Sequence, residues 1–553
     1  MHPPNPDPPR SGPDLLSDPL FAVSPSEGAS PLSFPLLLAR LLAGEEVDDF
    51  RHLTSEQRAP FWRLLVRCAS RALRDLHLSV EAAARLAPED LVVRIEGALR
   101  ARAPEGAWHL YQPDPTRPGF LQPPTPDGRA PGAANNYKEN SLGLLTSTVG
   151  IKNHERKFDM GRALTAEATV YALVEYQLGA IFGGRGNYAS QLMGSASGAG
   201  SGSPFQGARI AGSNRETFRH DVGVLLSRWD EVARELGGPV WALWAESWDG
   251  ASQLGSERLD PAFIPFARAV RLGAPKDRVF STVWFRPSSV ARVRDHKGGG
   301  VLGDPFTPFV PDPKTGSLKV RGTLRKGYDY TEVVRLLFGT DEQGGQASAS
   351  VRALADRGEL ERGDLAVVFE GTAYEQGKTG GYHRRVVLLP TTGGRDVLGW
   401  FDNPHPVRKA HTAMWGAVGA TKRALRGACR ILLTGEPRPK DGDAARVEAS
   451  AALLEQWVDA AYLGFLFEVA PRAEHDEDGW LTPWTTWLEG RAHAAFRASL
   501  GALPTSTARR LEREVQAESY LSYKLSLLRS QGGGVGEPYH THPDDEPESE
   551  EEE

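Results

Sequence analysis

Four long amphipathic stretches, at 407–433, 444–468, 484–500 and 505–528, constrain this chain more than any other feature. Each repeats apolar residues at helical spacing, and only short segments rich in Gly, Pro and Asp join them. Helices on short connections pack antiparallel to their neighbours. The pattern therefore predicts a four-helix bundle of about 125 residues, spanning 404–531.

The remainder is less regular. Residues 1–30 are Pro-rich and polar and are expected to be disordered. Residues 31–403 read as one large, irregular mixed α/β domain, so the expected fold class is α+β: a mixed N-terminal domain followed by the bundle. Its first part, to about Leu99, is helical, with Phe34, Leu37, Leu38 and Leu41 and then Phe61, Leu64, Leu65, Cys68 and Leu73 at helical spacing. Repeated prolines make 104–134 a loop. Helices are predicted at 165–181, 218–236 and 330–338, and strands at 279–285, 365–369 and 385–389. The glycines at 532–534 and the acidic tail that follows, to residue 553, are expected to be disordered.

Charge and cysteine content exclude several classes. The formal net charge is −7, but residues 537–553 hold nine acidic and no basic side chains, which leaves the rest at about +2. A near-neutral body tolerates a polyanion on one local face without being a strongly basic DNA-binding domain. Only Cys68 and Cys429 occur, too few for a disulfide framework or a cysteine-based zinc site, and a cytoplasmic location is the expectation. The longest apolar run, 170–182, is interrupted by Glu175 and too short to span a bilayer, so no membrane association is expected. The N-terminus lacks the basic-then-apolar pattern of an export signal.

The stretch 135–221 is rich in glycine and poor in carboxylates, with Arg, Asn and Tyr interspersed, and includes Gly183-Gly184-Arg185-Gly186-Asn187. Glycine lets a backbone approach a nucleic-acid surface closely, while Arg and Asn donate to phosphates and base edges. A purely structural glycine loop is the alternative. A dinucleotide site would need a strand before the glycines and a helix after them; here a helical pattern precedes and a Ser/Gly loop follows. Gly377-Lys378-Thr379 resembles the end of a phosphate-binding loop, but five residues separate Gly371 from Gly377 where that motif has four. The sequence then continues as a strand, so the segment reads as a hairpin tipped by Gln376, Gly377 and Lys378, either a polar finger or an ordinary surface hairpin.

Hydrolase patterns fail as well. Gly194-Ser195-Ala196-Ser197-Gly198 has alanine where a nucleophile elbow needs serine, and His220-Asp221 reads as a helix-surface pair. His540 and His542 fall in the tail. No cofactor, metal site or catalytic residue is expected. Trp241, Trp244 and Trp248, and Trp480, Trp484 and Trp487, read as inward helix faces. Lys422, Arg423, Arg426 and Arg430 form a basic stripe, either solvated or positioned to contact a nucleic-acid backbone.

With these residues in view, the chain resembles the CasA-like large subunits of the type I-E CRISPR surveillance complex Cascade. The likeness runs through 31–530: a helical start, the loop 141–153, a helix, the glycine segment, Gly303-Asp304-Pro305-Phe306-Thr307-Pro308, the hairpin and a terminal bundle. Where the family often has Trp in Asp-Pro-Trp-Thr-Pro, this chain has Phe306. The resemblance implies a non-catalytic subunit that reads the protospacer-adjacent motif (PAM) of double-stranded target DNA from the minor groove and helps to open the strands. On that likeness Lys152, Asn153, His154, Gly183, Gly184, Arg185, Gly186 and Asn187 serve motif recognition, and Gln376, Gly377 and Lys378 form the strand wedge. Implied partners are CRISPR RNA, other Cascade subunits, target DNA, and an effector helicase-nuclease or other nuclease. A nucleotide-dependent enzyme using Gly377-Lys378-Thr379, or a scaffold that does not touch DNA, are the other readings.

Overall fold

The computed structural model describes residues 11–24, 30–44, 47–133, 137–146, 163–179, 204–266, 268–286, 292–293, 303–311, 318–320, 322–339, 346–356, 365–375, 378–390, 397–437, 444–475, 477–501, 503 and 509–530. The chain divides into two compact units, one formed by Met1–Tyr328 with Gly345–Thr391 and the other by Asp329–Gly344 with Thr392–Glu553.

The first unit is helical at its start. Helices α1 (Phe34–Ala43), α2 (Ser55–Asp75) and α3 (Pro88–Arg102) are followed by α4 (Ala166–Leu178), α5 (Asn214–Ser227) and α6 (Trp229–Leu236). α2 begins after Thr54, whose amide donates to the Gln57 side-chain oxygen at 3.2 Å, so that this group at the helix start is satisfied. It runs through the centre of the core: Leu64, Leu65, Cys68, Ala69 and Leu73 are buried, and Phe61 meets Tyr171 of α4 edge-on with ring centroids 4.9 Å apart. The N-terminal segment departs from the disordered expectation. Leu15, Leu16, Phe21 and Val23 are buried, and Phe21 and Leu32 exchange backbone hydrogen bonds. Scattered apolar side chains among the prolines are enough to dock the segment from residue 11.

The strands of this unit are short except for one hairpin. They are β1 (Lys138–Ser141), β2 (Leu164–Thr165), β3 (Phe205–Ile210), β4 (Val240–Ala242), β5 (Leu259–Ile264), β6 (Val270–Leu272), β7 (Val279–Phe280), β8 (Thr282–Phe285), β9 (Phe309–Pro311), β10 (Leu318–Val320), β11 (Leu365–Glu375) and β12 (Lys378–Leu389). They make two three-stranded sheets, β1-β8-β6 and β12-β11-β3, and three two-stranded pairs. The single strand expected at 279–285 is two, β7 on β2 and β8 between β1 and β6. The helix expected at 218–236 starts earlier and is interrupted at Arg228.

Tryptophans 241, 244 and 248 are buried as expected but do not lie on a helix. Trp241 is in β4, Trp244 in a 3-10 turn, and Trp248 beyond it. Their neighbours from distant segments, including Trp108 at 6.1 Å from Trp241 and 6.0 Å from Trp244, set this packing. Helical spacing is mimicked here by a strand that runs into a tight turn.

The second unit contains α7 (Tyr330–Phe338), α8 (His405–Thr434), α9 (Ala444–Glu474), α10 (Thr482–Leu500) and α11 (Arg510–Ser530). The last four form the predicted bundle, and their contacts give its directions. Cys429 meets Ser450 near one end of the α8–α9 pair, and His411 meets Tyr462 near the other, so these helices are antiparallel. Ser450 with Ser499, and Phe465 with Trp484, do the same for α9 and α10. Arg513 donates to the Leu433 carbonyl, while Tyr520 lies against Gly427, so α11 runs antiparallel to α8. α8 ends at Gly435, whose φ of 88° is the left-handed geometry that glycine adopts without strain. α7 packs beside the bundle, with Tyr330 and Tyr462 rings 4.2 Å apart and the Tyr330 amide on Asp459 at 2.7 Å.

Candidate nucleic-acid interface

The β12-β11-β3 sheet holds the described residues that flank two of the sequence-predicted segments, the glycine segment and the hairpin tip. β11 pairs along its first half with β3, from Leu365↔Ile210 to Glu370↔Phe205, and along its whole length with β12. Beyond Glu370 the β11–β12 hairpin continues without the third strand to Glu375↔Lys378, an overhang of about 17 Å at the usual rise per residue. Only residues 376 and 377 separate the strands. Near this tip the register slips from Ala373↔Gly381 to Tyr374↔Thr379, leaving Gly380 without a partner. Gly381 there has φ 127°, outside the range of an ordinary L-residue. Such a bulge twists the hairpin and redirects its end.

Gly377-Lys378-Thr379 therefore leads into a strand. Lys378 and Thr379 are the first residues of β12, and the helix N-terminus that a phosphate-binding loop requires does not follow them. The hairpin expected from the sequence is present.

The end of the glycine segment enters the same sheet. Phe205, the first residue of β3, lies opposite Glu370, where the hairpin begins its overhang. The entry point is held firmly. Phe205 stacks on Phe306 at 4.8 Å between centroids, and the Gln206 amide donates to the Phe306 carbonyl at 2.8 Å. The Gln206 side chain accepts from the Ser348 amide at 2.5 Å, and the Ser348 hydroxyl donates to the Gln206 carbonyl at 2.6 Å.

Beneath this point lies an ionic node that the sequence reading missed. Asp304, Arg63 and Arg67 are all fully buried, and Asp304 lies 3.4 Å from each guanidinium. Arg63 also donates to the Pro204 carbonyl at 2.7 Å, one residue before β3, and its guanidinium lies 5.4 Å from the Phe205 ring centroid. Thr307 donates to Asp304 at 2.5 Å. Burial alone would raise the Asp304 pKa, but the two guanidiniums hold it below its ordinary value, and burial lowers that of Arg67. Arg63, Arg67 and Arg71 recur every four residues on α2, a charged stripe that must face a partner where it faces inward, but nothing local in the sequence sets it apart from a solvated stripe.

His220-Asp221 is a second correction. Asp221 is completely buried, not on a helix surface. It accepts from Ser350 at 2.6 Å and from the Trp62 indole at 2.8 Å, and burial pushes its pKa up to about 7. Ser350 in turn accepts the Ala208 amide, so this pair also supports β3.

Other predicted residues stand apart. Lys152, Asn153, His154, Gly183, Gly184, Arg185, Gly186, Asn187, Gln376 and Gly377 lie outside the described residues. The segment before 152–154, expected to be loop, is strand β1 on β8 and then a 3-10 turn with Leu142 and Leu145 buried. Lys422, Arg423, Arg426 and Arg430 do lie on one helix, α8. Two of them face carboxylates of α9: Lys422 pairs with Glu455 at 3.0 Å, and Arg426 makes a double contact with Glu448 at 3.0 and 2.6 Å. Arg423 is exposed and Arg430 half-buried. Among the described residues there is no cluster of three metal-ligating side chains and no helix long and apolar enough to cross a membrane.

Comparison with solved structures decides the fold. The CasA (Cse1) of Thermus thermophilus superposes with a TM-score of 0.62 at 18% identity, covering 94% of this chain and 100% of that one. The Cse1 of Acidimicrobium ferrooxidans gives 0.59 at 15% identity, covering 95% and 100%, and that of Thermobifida fusca 0.59 at 13%, covering 94% and 98%. The fold is that of CasA. The match covers 94% of this chain, so the CasA fold accounts for the mixed region as well as the bundle. No protein-family model and no curated protein matches the sequence.

Proposed function

We propose that this chain is a CasA-type large subunit of an RNA-guided Cascade complex, which recognises a short motif in duplex DNA and starts strand separation. One observation carries the reading. The hairpin overhangs its sheet at the same end at which the glycine segment enters it, so a motif-reading backbone and a strand-parting finger would share one rigid base. In this reading Gly183, Gly184, Arg185, Gly186 and Asn187, with Lys152, Asn153 and His154, contact the motif. The tip residues Gln376, Gly377 and Lys378 enter the duplex. Minor-groove readout is degenerate and rewards close backbone approach, which suits glycine. A wedge must offset a few kcal/mol of unstacking per step, which demands a stiff support. Guide RNA, the other subunits and a separate nuclease supply the rest, and the chain works in the cytoplasm without catalysing a reaction.

The test is target binding by the reconstituted guide complex. Gln376→Ala and Gly184→Asp should weaken capture of duplex target by at least about tenfold, while a target with the strands already parted binds as before. Unchanged duplex binding in both variants would refute the assignment.

A further inference from the structure

One face of the three-stranded part of the β12-β11-β3 sheet carries a cavity of about 100 Å³, reaching to Glu370 and Arg384, beyond which the hairpin overhangs. The pairing places Arg384 of β12, Glu370 of β11 and Phe205 of β3 side by side, with Arg209 four pairs further along β3 on the same face. The first turns of α2 cover them with Arg58 and Trp62. Three guanidiniums and one carboxylate thus line a cavity whose remaining wall is largely apolar and aromatic. Arg58 is held by Asp49 at 2.9 and 3.3 Å, and Arg384 by Glu370 at 2.8 Å. Arg209 makes only a long 3.4 Å contact to the Gly212 carbonyl and has no carboxylate in ion-pair range among the described residues.

The geometry points to a binding site for one unstacked nucleotide. At about 100 Å³ the cavity has the volume of about three waters of the bulk liquid, room for a single pyrimidine-sized ring. An aromatic wall accepts the face of a base. Glu370 and Arg384 together offer an acceptor and a donor to a base edge, and Arg209 and Arg58 offer charge to its phosphate. Position supplies the role. A strand parted at the hairpin tip and led along the hairpin would meet this cavity where the overhang joins the sheet. Holding one base there would oppose reannealing. This inference rests on the strand-opening reading above, and the experiment separates the two.

The full chain is titrated with thymidine 5′-monophosphate and, separately, with a single-stranded DNA of about ten nucleotides carrying 5-iodo-deoxyuridine. Irradiation and peptide mapping then locate the contact. The expected result is a crosslink at Trp62 or Phe205, and about tenfold weaker binding in Arg209→Ala with recovery to within about threefold in Arg209→Lys. Competition by the monophosphate assigns the site to a free nucleotide or a strand end. Binding of the oligonucleotide alone assigns it to a continuous strand. Crosslinks confined to other residues, or binding indifferent to Arg209→Ala in a variant that melts like the parent, would overturn the proposal. If Gln376→Ala abolishes duplex capture while Arg209→Ala leaves the crosslink intact, the pocket falls and the wedge stands. The reverse pattern removes the wedge and keeps the pocket as a nucleotide site.

Discussion

Replacing Asp304 by alanine should cost this fold more than any exposed change, and the size of the loss follows from what it leaves behind. The carboxylate faces Arg63 and Arg67, and all three side chains are fully buried. Each arginine also donates to a carbonyl, of Pro204 and Phe263, and lies over an aromatic ring. Those contacts do not neutralise charge. Removing one partner of a buried ionic group strands the other, at about 3–5 kcal/mol. With an m-value of about 3 kcal/mol/M, the urea midpoint of the first unit should fall by roughly 1–1.7 M, read by tryptophan fluorescence. The pH dependence adds a second check. Asp304 is held below its ordinary pKa of 3.8, so its contribution is complete above the unfolded value and is lost as pH falls through the depressed folded one. The penalty of Asp304→Ala should therefore shrink in strong acid. The triple change Asp304→Leu, Arg63→Met and Arg67→Met should restore much of the stability, because apolar packing replaces the whole node. A midpoint shift for Asp304→Ala below about 0.3 M, equivalent to less than about 1 kcal/mol, would refute the argument that the node is ionised and tightly coupled.

The buried Asp221 has the opposite sign. With its pKa raised to about 7, the folded state binds the extra proton between the unfolded value and about 7, so stability falls as pH rises through that window. Asp221→Asn should flatten this slope, worth on the order of a few kcal/mol, in urea melts at pH 5 and pH 8. Gly381→Ala forces a φ of 127° on a residue with a Cβ, at about 1–3 kcal/mol locally; duplex opening should drop while a pre-parted target still binds, as measured by mobility shift. Arg426→Ala breaks an exposed pair and should change thermal stability by less than about 1 kcal/mol. If the α8 stripe touches DNA backbone, the same change lowers the salt slope of binding by about one.

Sequence patterns read well where local periodicity and tertiary packing agree. The bundle helices bury one face along their whole length, so their spacing survives translation into structure. The β11–β12 hairpin was legible because strand-like apolar runs, 365–369 and 385–389, flank a glycine-bearing break. The Asp304 node was not, because its partners lie more than two hundred residues away on α2, and nothing local distinguishes a buried arginine from a solvated one. Trp241, Trp244 and Trp248 misled for a related reason: spacing was read as helix, although the partner that fixes these rings, Trp108, comes from another segment. That β3, which follows the glycine segment, pairs with the hairpin strand β11 needed the strand register, which no local pattern carries.

The interrupted path of the chain has a practical consequence. α7 is drawn from residues 329–344, before the hairpin, while the bundle resumes at 392, after it. A fragment beginning at residue 392 would omit the tyrosine that packs on Tyr462 and the amide that holds Asp459. Grafting the bundle with α7 between related proteins thus requires three junctions rather than one, and the hairpin is spliced between the two segments like an insert whose both ends lead into the neighbouring unit.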